Sequence, residues 1–540
     1  MTLNKWIYYV VFLIGIAGCG RMQKHNNIFH YNEFSGIPTL DPAFAKSQSV
    51  DWAIHQIYNT LIETNDSLHI VPSIAKSWDV SPDNKVFTFH LRNDITFHNN
   101  DAFAGGTGRP LNARDVVYSF KRIMDKNTAS SGAWIFNGKV DTLNAFSALN
   151  DSTFQLKLLK PFHAILGILT MQYCSIVPQE VVEKYGKDFR SHPCGTGPFK
   201  FVAWEEGQAL ILSRNEHYFE MDNLGKRLPY LDGIKVSFYN SKATEFLEFQ
   251  QGRLDFINDI DASFKDEVLT KKGELRKEWL GKIVLIRQPF LNIEYLGILN
   301  DTLNPLLTNS PLKDLKVRQA ISYGIDRRRM MLYVRNSIGI PAESGFVPAG
   351  MPYFDSLAVH GYHYDPQRAL QLLKEAGFPG GEGLPVIRLL TIPQYADLGS
   401  YIANELVQIG FKIQVDVIQK SLLLEQTAKS EALFFRGSSI ADYPDAENYL
   451  SVFYSKNPAP PNYTRFHNRK FDELYEQALN EQNDSSRGLL YQAADRVIIA
   501  NAPVIPLWYD MVIRLVHNNI KDFVPNSLNL LELRHTVLKR

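Results

Sequence analysis

Between residues 85 and 92, Phe87, Phe89 and Leu91 alternate with Thr88, His90 and Arg92. A period of two built from bulky side chains predicts a strand with one buried face. Residues 153–158 repeat the pattern with Phe154, Leu156 and Leu158 inward, a pairing partner for the first strand. Between them the period changes. Asn112 stands as an N-cap with Asp115 three residues on, and Val116, Phe120, Ile123 and Met124 fall on one helical face. Residues from about 63 to 170 are therefore expected to close as a small sheet-and-helix domain nested within another. Further along, residues 313–327 read as one helix, and a second opens at Asp365-Pro366 and ends at Gly377 with Leu370 and Leu373 inward. Gly380-Gly381-Glu382-Gly383 reads as a flexible connector. A strand at 386–390, a helix at 398–409 and a strand at 411–418 follow, a βαβ-like rhythm that predicts an α/β lobe. Helices near 471–479 and 486–500 precede a strand at 503–509 that should return the chain to its first half.

Length adds that one core is not enough: 540 residues call for two or three domains. Lys plus Arg is 57 and Asp plus Glu is 57, so the formal net charge is zero. No global field draws in nucleic acid or an anionic surface, which argues against a polyanion binder. At the start, Lys5 precedes an apolar run from Trp6 to Ile16 and then Ala17-Gly18-Cys19. Basic, apolar and small-residue regions in this order are those of an export signal, and the run is shorter than the roughly 20 residues that span a bilayer. In an oxidising compartment Cys174 and Cys194 can bridge, and a disulfide and two buried thiols are equally open readings.

The stretch with candidate chemistry runs from Phe434 to Leu450. An apolar strand-like run is expected to break at Gly437-Ser438-Ser439, with a helix beginning near Asp445, so Asp442 falls on a strand-to-helix loop where α/β folds catch ligands. Arg436 and Asp442 give that loop a guanidinium and a carboxylate, enough to hold both ends of a zwitterion. The plainer reading is a loop whose Asp442 or Asp445 caps the next helix. Elsewhere, Gly195-Thr196-Gly197 lacks the spacing of a phosphate-binding loop and reads as a tight turn. Arg327-Arg328-Arg329 reads as one solvated basic turn. His360 and His363 are a metal pair without two further evident ligands. Neither a His-Glu-x-x-His nor a Gly-x-Ser-x-Gly motif occurs, and no enzyme is expected.

Arg436-x-x-x-x-Ala441-Asp442-Tyr443-x-Asp445 resembles the ligand loop of the family 5 extracellular solute receptors, the oligopeptide- and dipeptide-binding proteins that feed ABC importers. In the same order as in that family stand Leu40-Asp41-Pro42, Pro72-x-x-Ala75-x-x-Trp78, Phe89-His90-Leu91-Arg92, Asn112 to Arg122, Gly195-Thr196-Gly197-Pro198-Phe199 and Val317-Arg318-x-Ala320 followed by Asp326-Arg327. The resemblance covers about residues 31–515.

It implies an α/β, two-lobed periplasmic-binding-protein-like fold of type II with an extra domain inserted in lobe 1. Residues 1–18 would be a lipoprotein signal peptide and 19–27 a tether. Residues 28–62, 172–285 and 510–540 would form the lobe 1 core, 63–171 the inserted domain and 286–509 lobe 2. Ile16-Ala17-Gly18-Cys19 resembles a lipobox, which implies a lipid on Cys19 and a monomeric receptor held in the periplasm or cell envelope. The implied ligand is a short peptide and the implied partner a membrane permease, with no cofactor and no nucleic acid. Asp442 matches the aspartate that pairs with the peptide α-ammonium, and Arg436 an arginine that receives a C-terminal carboxylate. Ser438 and Ile440 would offer main-chain groups, with Lys46, Ser47 and Gln48 on the facing loop. Three departures stand out: Ser439 replaces a tryptophan, Gly132 replaces a ligand-facing tyrosine for which nearby Trp134 is the substitute, and Lys46 replaces an acid. Nickel-chelate, haem or other small-solute receptors of the same fold are the alternative, and a secreted peptidase is the alternative of another class.

Overall fold

The structure, a computed structural model, describes residues 27–539. The expected signal peptide, the lipidation site Cys19 and all of the tether before Asn27 lie outside the described residues.

Most strands belong to one sheet. Its first half holds β1 (Ile28–Asn32), β2 (Phe199–Glu205), β3 (Ala209–Arg214), β4 (Gly233–Ser237) and β5 (Phe256–Asn258). Next comes the long β6 (Ile283–Ile298). The second half adds β7 (Val386–Thr391), β8 (Lys412–Val417) and β9 (Phe434–Ile440), and β10 (Val504–His517) runs back. In space the order is β8-β7-β9-β6-β10-β5-β1-β4-β3-β2. β6 and β10 lie at its centre and serve both halves: residues 283–289 of β6 pair with 511–517 of β10, and 293–297 with 504–509.

Between these segments the ladder lapses. Pairing stops at Pro289–Met511 and resumes at Ile293–Tyr509, leaving Asp510 without a strand partner. Its carboxylate takes over the stitching. It accepts hydrogen bonds from Asn292 Nδ2 at 2.7 Å and Trp508 Nε1 at 2.9 Å, and pairs with Arg335 at 3.2 Å. A bulged ladder bends where a regular one resists, so this is the mechanical weak point of the connection.

A separate antiparallel sheet is built from residues 75–80, 86–91, 153–157 and 146–150 in that spatial order. Phe87, Phe89, Leu91, Phe154 and Leu156 are buried, as their alternation predicts. The helix Ala113–Met124 covers it, and Asn112 and Asp115 form the reciprocal cap expected from their spacing. Of its apolar face Val116, Phe120 and Ile123 are buried and Met124 is half-buried.

Four expectations are corrected. The helix drawn over 313–327 is two helices, Leu315–Gly324 and Arg327–Val334, each opened by an aspartate cap, Asp314 and Asp326. The break swings Arg327 inward, where it donates to the carbonyls of Pro506, Ser322 and Ile325; only Arg328 and Arg329 form the solvated turn. In the helix Pro366–Glu375 the buried leucines are Leu372 and Leu373, with Leu370 at the margin. Gly381 is buried against Gly410, so the glycine-rich connector is packed rather than loose. Cys174 and Cys194 are free buried thiols. Each donates to its own carbonyl, Ile168 at 3.6 Å and His98 at 3.3 Å, so no bridge joins them.

Gly195-Thr196-Gly197 is a close-approach turn. A Cβ on Gly195 would stand 2.2 Å from the Ile57 carbonyl oxygen, and on Gly197 2.4 Å from the Ile57 carbonyl carbon. The turn thereby clamps the end of α1 (Gln48–Ile57), a helix that matters below.

Candidate functional site

β9 runs straight through Gly437-Ser438-Ser439 to Ile440, against the expected break. The pairing explains it: residues 434–440 match 298 down to 292 of β6 without a gap. Gly437 is required because the Tyr295 ring lies over it, with Cζ 2.5 Å from where a Cβ would be. On its other side β9 pairs with β7 only at Phe435 opposite Leu390. Beyond that point no strand among the described residues lies beside the edge of β9, and Ser438 and Ile440 are exposed. An unpaired edge is where an extended chain adds its main-chain hydrogen bonds.

That edge leads to the acidic loop. Ala441 is pinned by its N–H to the Leu291 carbonyl at 2.9 Å, and the Tyr443 ring and Pro444 lean on Gly167 at 3.4 and 3.6 Å from its missing Cβ. The two capping candidates now separate. Asp445 accepts the N–H of Glu447 at 2.9 Å, at the start of the short helix Glu447–Leu450, and faces Arg487 at 3.6 Å. Asp442 caps nothing. Its side chain is exposed to solvent and no ion pair reaches it among the described residues. Burial by the surrounding protein holds its carboxyl above the usual carboxylate range, opposed only by a hydrogen bond with Asn448.

Arg436 does not face a ligand. It is buried, ion-paired with Glu294 of β6 and stacked 3.8 Å over the Tyr395 ring. Burial pushes the Glu294 carboxyl up to about 7 in spite of that pair. Its position in an internal, neutralised pair removes Arg436 as a free receiver of a carboxylate.

Lys46, Ser47 and Gln48 are exposed at the entry to α1. Trp134 is 40% exposed, with the Lys139 ammonium 5.8 Å from its ring. Gly132 does not leave a hole. The ring of Tyr173 fills it, 2.4 Å from the missing Cβ, and the hydroxyls of Tyr173 and Ser131 lie 3.1 Å apart. The phenol is pushed up by burial, drawn down by Ser131, and raised further by the negative fields of Asp51 and Asp442 together. The Tyr173 phenol therefore feels the field of a carboxylate of α1 and of the carboxylate of the acidic loop. Neither Tyr173 nor Asp51 carried a local sequence signal.

A second recess of about 240 Å³, lined by His55, Glu63, Glu220, Glu532 and Arg534 among others, is already neutralised in part: Arg534 bridges Glu63, Glu220 and Glu532 at 3.0, 2.8 and 2.7 Å.

Residues 69–461 match the model of bacterial extracellular solute-binding proteins, family 5. Heme-binding protein A of Haemophilus influenzae is 28% identical over 93% of this chain and 90% of its own, and the dipeptide-binding protein of Escherichia coli 25% over 90% and 89%. Glutathione-binding protein GsiB of Escherichia coli is 26% identical over 91% and 90%. Among solved structures, HbpA2 of Haemophilus parasuis superposes with a TM-score of 0.83 at 24% identity, covering 95% of this chain and 99% of its own. The unliganded open form of the murein tripeptide-binding protein MppA gives 0.81 at 22% identity over 95% and 98%. DppA of Helicobacter pylori in complex with the peptide STSA gives 0.70 at 25% identity over 95% and 98%.

Proposed function

The chain belongs to the family 5 bacterial extracellular solute-binding proteins, two-lobed type II receptors of ABC importers rather than enzymes, and from that premise we propose that it captures short peptides. The observation that carries the reading is the free edge of β9 running into an uncommitted Asp442. An extended peptide laid along Ser438 to Ile440 gains main-chain hydrogen bonds there, and its α-ammonium meets the carboxylate at the end of the edge. Both contacts ignore side-chain identity, which suits ligands of varied sequence, with water filling the remaining space. Lobe 1 supplies the other jaw through Lys46, Ser47, Gln48, Trp134 and Tyr173, and closure bends the lapse in the β6–β10 ladder. In this reading residues 63–171 are the inserted domain, flanking the acidic loop through Gly167, and a lipid on Cys19 would hold the receptor at the membrane beside its permease.

The related proteins are named for haem, dipeptide and glutathione, and the site favours the peptidic ligands because its open groups are a strand edge and a carboxylate. Titration calorimetry with a mixture of di- to pentapeptides tests this. Asp442→Ala removes the partner of the α-ammonium and should cost roughly 2 to 5 kcal/mol of binding, erasing measurable affinity while the circular dichroism spectrum stays unchanged. Equal affinity in wild type and variant removes the assignment.

A further inference from the structure

We propose that the seam between residues 68–78 and 163–167 on one side and residues 352–353, 444–446 and 482–491 on the other is a second binding site, for a small uncharged solute rich in hydroxyls, of the sugar or polyol class. It stands apart from the peptide reading, because neither the edge of β9 nor Asp442 lines it.

The seam encloses a cavity of about 290 Å³, close to the lower bound of small-molecule sites, roughly 300 to 1,000 Å³. The helix Asp484–Asn501 brings Asp484, Arg487 and Tyr491 to its wall, three and seven residues apart and so on one helical face. Trp78, His163 and Gly167 come from the other side. Direct bonds tie the two sides together: Asn84 Nδ2 donates to the Asn480 carbonyl at 2.6 Å and Gln482 Nε2 to the Ser81 carbonyl at 3.0 Å. Leu68 is buried in one apolar cluster with residues of the 291–509 stretch. Leu68 at φ 62° and Tyr353 at φ 65° both line the cavity in the left-handed backbone that side chains rarely adopt. Tyr353 is seated over Gly488, whose missing Cβ would lie 2.6 Å from its Cγ. Backbone strain persists where the surroundings over-determine it, and it gathers at ligand sites.

Arg487 and His163 are each 8% exposed, and Arg487 Nη1 and His163 Nδ1 have no hydrogen-bond partner among the described residues. The other terminal nitrogen of Arg487 is committed, to Asp484 at 2.8 Å and towards Asp445 at 3.6 Å. Burial, and after it the field of Arg487, draws the His163 ring down to about 4, so the ring is neutral and Nδ1 offers one donor or one acceptor. A buried polar atom left unpaired is costly, and a ligand that pairs it recovers the cost.

The walls carry two carboxylates, Asp445 and Asp484, against one guanidinium, which disfavours an anion. A cation would leave Arg487 Nη1 without an acceptor. A hydroxyl accepts from Nη1 while donating to a carboxylate or to Nδ1, and it adds no charge to be desolvated. Leu166, Pro444, Trp78 and Tyr353 complete the lining with apolar surface that suits the C–H faces of a sugar ring.

Calorimetric titration of the full chain with three pyranoses of one skeleton, D-glucose, D-glucuronate and D-glucosamine, tests the proposal. Glucose should bind at least tenfold more tightly than glucuronate, and more tightly than glucosamine. In Arg487→Lys, which keeps the charge and removes Nη1, the glucose Kd should rise at least fivefold. Hydrogen exchange on the wild type locates the site without any variant: glucose should protect amides in 163–168 and 482–491 and leave 437–442 unchanged. Absence of both heat and protection with glucose at tens of millimolar overturns the proposal. So does a preference for either charged sugar, or an unchanged Kd in Arg487→Lys. Protection confined to 437–442 overturns it as well, since the sugar would then occupy the peptide cleft. Peptide titrations read the other site, so each reading can fall while the other stands.

Discussion

Arg436 illustrates how a residue's role depends on its partners. By sequence it is one of two charged groups on a ligand loop; in the structure it is half of a buried pair with Glu294, stacked on Tyr395. The two roles predict different defects. A ligand-facing arginine would lose affinity on truncation and leave stability untouched. A buried pair instead leaves Glu294 desolvated without its counter-ion, at a cost of about 3 to 5 kcal/mol. Arg436→Ala is therefore expected to lower the unfolding free energy by that amount, read as a fall in the denaturant midpoint at unchanged slope, and an unchanged midpoint would return Arg436 to the cleft. What sequence could tell at this scale was local. Asn112 with Asp115, and Asp365 with Pro366, announce their helices through neighbours three residues away. Asp51 and Tyr173 have no such neighbour, because the field of Asp51 reaches the Tyr173 phenol across more than a hundred residues of chain. Asp442 was legible only through resemblance, since on its own chemistry it was indistinguishable from Asp445 as a cap.

Among elements, β9 departs most from what its residues suggest. Gly437-Ser438-Ser439 has the composition of a turn, yet a complete register with β6 holds it extended, and Tyr295 across the ladder needs the glycine. Cross-strand partners outweigh local preference at such a place. The same comparison explains the helix break before Arg327: three carbonyls await that guanidinium in the interior, and no periodicity in residues 313–327 records them. The edge of β9 makes a prediction of its own. A peptide added as a strand should slow hydrogen exchange at amides in 437–440 that point away from β6, leaving amides already bonded to β6 unaffected. Protection confined to the helices around the cleft would exclude strand addition.

Over the whole molecule, both halves share β6 and β10, and the pairing lapse opposite Asp510 lies between them. A hinge at that lapse should let saturating peptide reduce the radius of gyration seen by small-angle X-ray scattering in wild type. Asp442→Ala should show no reduction under the same conditions. Contraction in both proteins would detach closure from the aspartate. The sharing of these strands also bears on how the chain matures. β5 finds its antiparallel partner in residues 514–516, and β1 pairs with residues 233–237, so neither half of the sheet has all its strands until synthesis has passed residue 517. Pairings this remote in sequence form slowly, and the sheet stays open to rearrangement for as long as its last long strand is missing.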